Sequence, residues 1–316
     1  MSLFRRFTRP APRVDADGWN PEAARMRAAA ERRDWPAMRE LLTGVPDGLE
    51  RTALLQGVTD VAGTEEWLPE VIEAERDPAL ALLVSGTRGV SWAWEARTAA
   101  RAKHVSKEQF ATFHERLRLA EEQLYEAAER EPDWATPWFQ LQICGRGLEV
   151  GHEAARHRFE AAVHRCPGHV WAYEQQLQQV CAKWGGSHEE MHEFARTSML
   201  KDSEGGALGV LVALAHLEHW LDLDSGPDAE YIRDPDVAAQ LHEAARRSVF
   251  HAAYERGPGW IQQHNVFAMA FSLAGQEKAA ADVFKVLEGR VTEFPWQYVN
   301  SEPVKAFRTW RDRAGG

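Results

Sequence analysis

The chain is poor in cysteine, with Cys144, Cys166 and Cys181 its only three and no CxxC spacing among them. An odd number in that arrangement argues against a disulfide framework and fits a reducing compartment, so a cytoplasmic location is expected. Apolar runs are short as well: none approaches the length of a membrane span, about 18 residues. Basic charge is in deficit, with 37 Lys and Arg against 48 Asp and Glu, a formal net charge of −11 and a pI near 5.7. Phosphate neutralisation needs clustered cations, so no nucleic-acid partner is expected. Also missing are G-x-x-x-x-G-K-[ST], a strand-borne G-x-G-x-x-G and G-x-S-x-G, the parts that nucleotide and serine-hydrolase chemistry require.

What is present is an ordinary core-forming composition, 44% hydrophobic and 27% charged over 316 residues. After residue 20 apolar residues recur at three and four spacing, with no convincing period-two strand. The expected class is all-α. The spacing predicts helices at roughly 21–33, 35–43, 48–61, 64–75, 78–100, 106–130, 134–148, 152–165, 169–182, 188–201, 206–222, 235–256, 260–274, 277–293 and 301–313. Turns such as E131-P-D133 and C166-P-G168 favour antiparallel neighbours, and G86-T-R-G89 reads as a kink. The one long connector is D222-L-D-S-G-P-D-A-E-Y-I-R-D234, a candidate hinge or functional loop. The N-terminus sets Leu3, Phe4 and Phe7 among Arg5, Arg6 and Arg9. It reads as a flexible basic segment, 1–20, and membrane contact is possible only through it. The rest divides into an N-terminal helical region (21–105), repeats (106–223) and C-terminal helical repeats (236–316).

Those repeats have a period. Y125-E-A-A-E-R-E-P-D-W-A-T-P-W138 and F159-E-A-A-V-H-R-C-P-G-H-V-W171 share an aromatic, a small residue, a proline and a tryptophan at an offset of about 34 residues, and A268–L287 returns to the same grammar. These stretches resemble tetratricopeptide repeats, which implies antiparallel helix-turn-helix pairs stacked as an α-solenoid. A second resemblance rests on W92-A-W-E-A-R97, T136-P-W-F139, R146-G-L148, Pro167-Gly168-His169 and above all K183-W-G-G-S-H-E-E-M191. It is to a bacterial family of uncharacterised proteins defined around the tryptophan-glycine-glycine-serine stretch. It covers roughly residues 75–200 and implies a helical scaffold with no known chemistry.

H188-E-E-M-H192 spells a zinc helix. Histidines four apart on a helix can share one Zn²⁺ while the intervening Glu189 acts as general base. Three observations weigh against it. Ser187 is a good N-cap with Glu190 completing a capping box, so a dication would sit at the positive end of the helix dipole. No motif places a third ligand, for which Glu204, His216 and His219 are the candidates. Short motifs also arise by chance in a chain with 13 His. The H164-R-C-P-G-H169 stretch supplies three more ligand types around a turn and reads as an inter-repeat turn.

The expected function is therefore a non-catalytic scaffold or adaptor that binds a protein or peptide, with no metal or other cofactor. The alternative is a zinc-dependent hydrolase on His188 and His192. The candidate binding surface is Trp138, Arg146, Trp171, Lys183 and Trp184, because tryptophan and arginine dominate interface hot spots. Gly185, Gly186, Ser187 and Glu190 form the structural motif that turns the chain into the next helix.

Overall fold

The computed structural model describes residues 10–15, 17–97 and 105–315. The Leu3, Phe4 and Phe7 segment and the end of the helix expected at 78–100 lie outside them. Among the described residues the chain is all-helical, with sixteen α-helices and two strands of two residues each. None of the helices is long and apolar enough to cross a membrane. The three cysteines form no disulfide. The chain divides into two compact units, Asn20–Ser187 and the combined segments Met1–Trp19 and His188–Gly316. The boundary at Ser187 differs from the expected divisions at 105 and 223.

The unit Asn20–Ser187 contains α1 (Pro21–Glu31), α2 (Trp35–Thr43), α3 (Leu49–Leu55), α4 (Thr64–Ala74), α5 (Ala79–Arg97), α6 (Lys107–Arg130), α7 (Thr136–Leu148), α8 (His152–Arg165) and α9 (Val170–Gln179). Local chemistry sets their starts. Asn20 caps α1 by accepting from the Glu22 and Ala23 amides, with Pro21 at the first helical position, and Asp34 caps α2 in the same way. Ser106 and Gln109 exchange hydrogen bonds in a full capping box on α6. In α7 the cap comes from elsewhere: Asp47, in the loop before α3, accepts from the Ala135 and Thr136 amides.

The G86-T-R-G89 stretch, expected as a kink, lies inside the continuous helix α5. Their glycines let α5 and α6 approach closely. A Cβ on Gly86 would stand 2.6 Å from Leu124 Cγ, and one on Gly89 would stand 3.0 Å from Ala120 Cβ. This contact joins 21–105 to the helices that follow, which is why no boundary falls at 105. Between the two glycines, Arg88 is 1% exposed and pairs with Glu65 and Glu95. A buried guanidinium is tolerable only with such partners.

In α6–α9 each helix packs on the next, and α7 also packs on α9. Tyr125 meets Trp138 edge-on at 6.0 Å, and Phe159 meets Tyr173 edge-on at 5.1 Å, so both helix pairs repeat one aromatic contact.

The second unit contains α10 (His188–Lys201), α11 (Val210–Asp222), α12 (Pro227–Ile232), α13 (Pro235–Arg247), α14 (Trp260–Leu273), α15 (Glu277–Leu287) and α16 (Pro303–Arg313). The connector expected to be irregular thus holds a short helix, α12. The helix expected at 235–256 stops at Arg247, where the Ser248 hydroxyl donates to Ala244 O at 2.6 Å. The core is aromatic: Phe284, Trp296 and Phe307 pack together, and Trp296 Nε1 donates to Asn265 Oδ1 at 2.7 Å. Asn265 in turn donates to Arg290 O, at the strand β2 (Arg290–Val291), which pairs in parallel with β1 (Arg13–Val14). The 1–20 segment, expected to be flexible throughout, is therefore tied down at residues 13–14 by backbone pairing.

Candidate functional site

The K183-W-G-G-S187 stretch ends the first unit as a tight turn. Gly185 has φ +95°, the left-handed region that favours glycine. A Cβ on Gly186 would stand 2.0 Å from Val180 O, because the Gly186 and Ser187 amides fold back to donate to Cys181 O and Val180 O. α10 then begins at His188, as expected. Arg146 is the other side of this turn. Its guanidinium stands 5.8 Å from the Trp184 ring and 5.8 Å from the Trp94 ring, and it donates to Gln175 Oε1 at 2.6 Å.

The remaining surface candidates separate. Lys183 is exposed. Trp171 is buried, 7% exposed, and lies edge-on to His169. Trp138 is wedged between Tyr125, His157 and Arg165. Both belong to the packing between helices. His169 is fully buried: its Nδ1 accepts from the Ala172 amide, so Nε2 carries the proton and donates to Thr52 Oγ1 at 3.0 Å. Burial lowers its pKa to about 4, so it is neutral. His164 is exposed, and the H164–H169 stretch is the turn it was read to be.

Beside Trp94 the unit has a cavity of about 400 Å³ between α3, α5 and α7. Val90, Trp94, Phe139 and Ile143 give it an apolar wall, and Asp60 and Glu95 stand among its lining residues. Gln140 also lines it. That residue is only 6% exposed. The sequence reading missed Gln140, because glutamine on an apolar helix carries no motif.

The second unit gathers histidines. His188 and His192 stand one turn apart on α10, and His216 and His219 three apart on α11, which packs against it. His188 and His219 stack at 3.8 Å, 9° from parallel. His192 Nε2 is 3.1 Å from His219 Nδ1 and 3.1 Å from the Tyr231 hydroxyl on α12, which is 2.7 Å from His216 Nδ1. On the outer side His188 Nε2 meets Asp222 at 3.1 Å. Burial, with the neighbouring His219 and His188, lowers the pKa of His192 to about 4; burial and His192 lower that of His216 to about 3, opposed in part by Gln240. Burial lowers His219 as well. All three are neutral near pH 7. Glu204, a third-ligand candidate, instead faces His251 at 3.5 Å, and Glu189 is exposed. Among the described residues no three His, Cys, Asp or Glu side chains form a ready-made ligand shell.

The class these features define, among the described residues, is an all-helical protein with a lined cavity and a histidine seam. No protein-family model matches the chain, and no curated protein matches it.

Proposed function

We propose that the chain is a non-catalytic scaffold of tetratricopeptide-like helix pairs that holds a protein or peptide segment in the cavity between α3, α5 and α7. The observation that carries this is the Gln140 amide side chain lining a cavity beside the apolar wall of Val90, Trp94, Phe139 and Ile143. Peptide backbone offers both a donor and an acceptor, so one segment satisfies both ends of that amide. Trp94, Phe139 and Ile143 receive a bulky apolar side chain, and Asp60 and Glu95 favour a basic residue beside it. The repeated aromatic contacts of Tyr125 and Phe159 support the repeat reading, and Arg146 with Trp184 braces the Trp94 wall.

The hydrolase alternative is not adopted, because Glu189 is exposed and Asp222 occupies His188 Nε2. Panning a random peptide phage library against the folded protein tests the scaffold reading. Enriched peptides are expected to pair an apolar residue with Lys or Arg, and to bind at least about tenfold more weakly to Gln140→Leu and to the cavity-filling Ile143→Trp. Failure to enrich any peptide, or equal binding to both variants, would overturn it.

A further inference from the structure

We propose that His192, His216, His219 and Tyr231 form an acid-released latch, which fastens α12 and the 222–234 connector to α10 and α11 at neutral pH and frees them when its imidazoles are protonated. The latch is a chain of hydrogen bonds drawn from three helices. In order it runs His219 Nδ1, His192 Nε2, Tyr231 Oη and His216 Nδ1, with separations of 3.1, 3.1 and 2.7 Å. Tyr231 is the link from α12. That helix has six residues, too few to hold its shape without tertiary contacts, so it leans on anchors such as the Tyr231 phenol and the buried Ile232. Such a chain is sensitive to pH, because each link holds one proton. With neutral rings the links are satisfied in either of two ways. If His192 Nε2 carries a proton, that N–H serves both His219 and Tyr231, and the Tyr231 hydroxyl donates to His216. If His192 Nε2 accepts instead, His219 and the hydroxyl donate to it, and His216 donates to the hydroxyl oxygen. In the first arrangement a proton added to His216 or His219 sets two donors face to face; in the second, one added to His192 does so.

The surroundings reinforce this. His188 stacks on His219 at 3.8 Å, 9° from parallel, so charging both rings sets two cations against each other. Asp222 on α11 meets His188 Nε2 at 3.1 Å on the outer side, and it opposes the lowering of His219 only in part. Glu218 projects from another face of α11, about 160° around the axis from His216 and about 100° from His219. Elsewhere on α10, Glu189 and Glu193 are exposed and Arg196 pairs with Glu243. From the neighbouring elements, Asp234 at the start of α13 faces Tyr231, and the neutral Gln240 of α13 faces His216. α14 also packs on α11 and α12, and its titratable residue, His264, is engaged with the Trp260 carbonyl and the Tyr254 ring. Burial prevails, lowering His192 to about 4 and His216 to about 3, and lowering His219 as well. A ring held below its ordinary value of 6.5 takes up a proton more readily once it is released. The latch is therefore whole above about pH 6.5 and gives way as pH falls from there towards about 4. It does not rest on the peptide cavity, which belongs to the other compact unit.

The test follows backbone hydrogen exchange of the full-length chain by mass spectrometry at pH 7.5 and pH 5.0, corrected for the intrinsic pH dependence of exchange. Residues 228–234 report the latch, and α14 is the internal reference for global opening. In the wild type, protection of 228–234 relative to α14 should fall at least about tenfold between the two pH values. Tyr231→Phe keeps the ring and loses the hydroxyl, so its segment should already be poorly protected at pH 7.5 and change by less than about twofold. His251→Gln, outside the seam, should behave as wild type. His219→Gln should also shrink the response, and it keeps the test open if Tyr231→Phe does not fold by circular dichroism. Unchanged relative protection in the wild type, a loss shared equally by α14, or a wild-type response in the folded Tyr231→Phe or His219→Gln variant overturns the latch.

Discussion

At the scale of single residues, the strictest demands fall where a side chain has no room or no partner. Gly186 has no room: any Cβ would collide with the Val180 carbonyl. Gly186→Val should therefore lower stability by more than the ~1–3 kcal/mol usual for overpacking, leaving little folded protein, which a thermal melt followed by circular dichroism would show. Glu174 on α9 has no cation or hydrogen-bond partner, and burial raises its pKa to about 8. An acid with a raised folded pKa gives up stability as pH climbs from its unfolded value, near 4.5, through the folded one. Glu174→Gln should accordingly raise Tm at pH 8.5 and change it little at pH 4. The side chain is only half-buried, so the gain should be modest. Glu174 does not advertise itself in sequence. The turn glycines do, since a Gly-Gly pair before Ser187 marks a helix start, but the Val180 carbonyl that makes Gly186 irreplaceable is a matter of how the turn closes.

Elements are held by contacts that local patterns only half reveal. The α5–α6 contact depends on Gly86 and Gly89, which together with Thr87 and Arg88 read locally as a kink. Gly86→Leu should force the helices apart and cost about 1–3 kcal/mol, visible as a lower urea midpoint with an unchanged slope. The periodicity of α6 to α9 was legible, and so was the start of α10. The extent of α13 was not, because the Ser248 backbone leaves the helical conformation, φ −125° and ψ −106°, while the apolar spacing continues. The histidine seam shows the same division. H188-E-E-M-H192 spells a metal motif in sequence. The structure brings His216 and His219 on α11 to it, and Tyr231 on α12 completes the group from a connector that carried no ligand pattern.

For the whole molecule, three buried histidines and the half-buried His192 predict how it responds to acid. His169, His192 and His264 are lowered to about 4, and His216 to about 3, chiefly by burial. Each takes up a proton more readily unfolded, near pH 6.5, than folded. Their combined contribution is complete above pH 6.5 and declines from there to about pH 4, levelling off below about pH 3. Tm measured from pH 7.5 to 4 should fall steadily, and a His169→Gln/His264→Gln double variant, if folded, should show a shallower slope.

The sequence by itself determined the helical class and most helix starts, because periodicity and capping are local and need only a few neighbouring residues to act. It also marked the turn at Gly185 and Gly186. The tertiary structure alone decided that Asp47 caps α7, that Arg13–Val14 pairs with Arg290–Val291, that Trp171 is core, and that Gln140 lines a cavity. Each of these joins residues far apart in the chain, and such a pairing is chosen by the burial and hydrogen-bond balance of the folded unit, which no single segment carries.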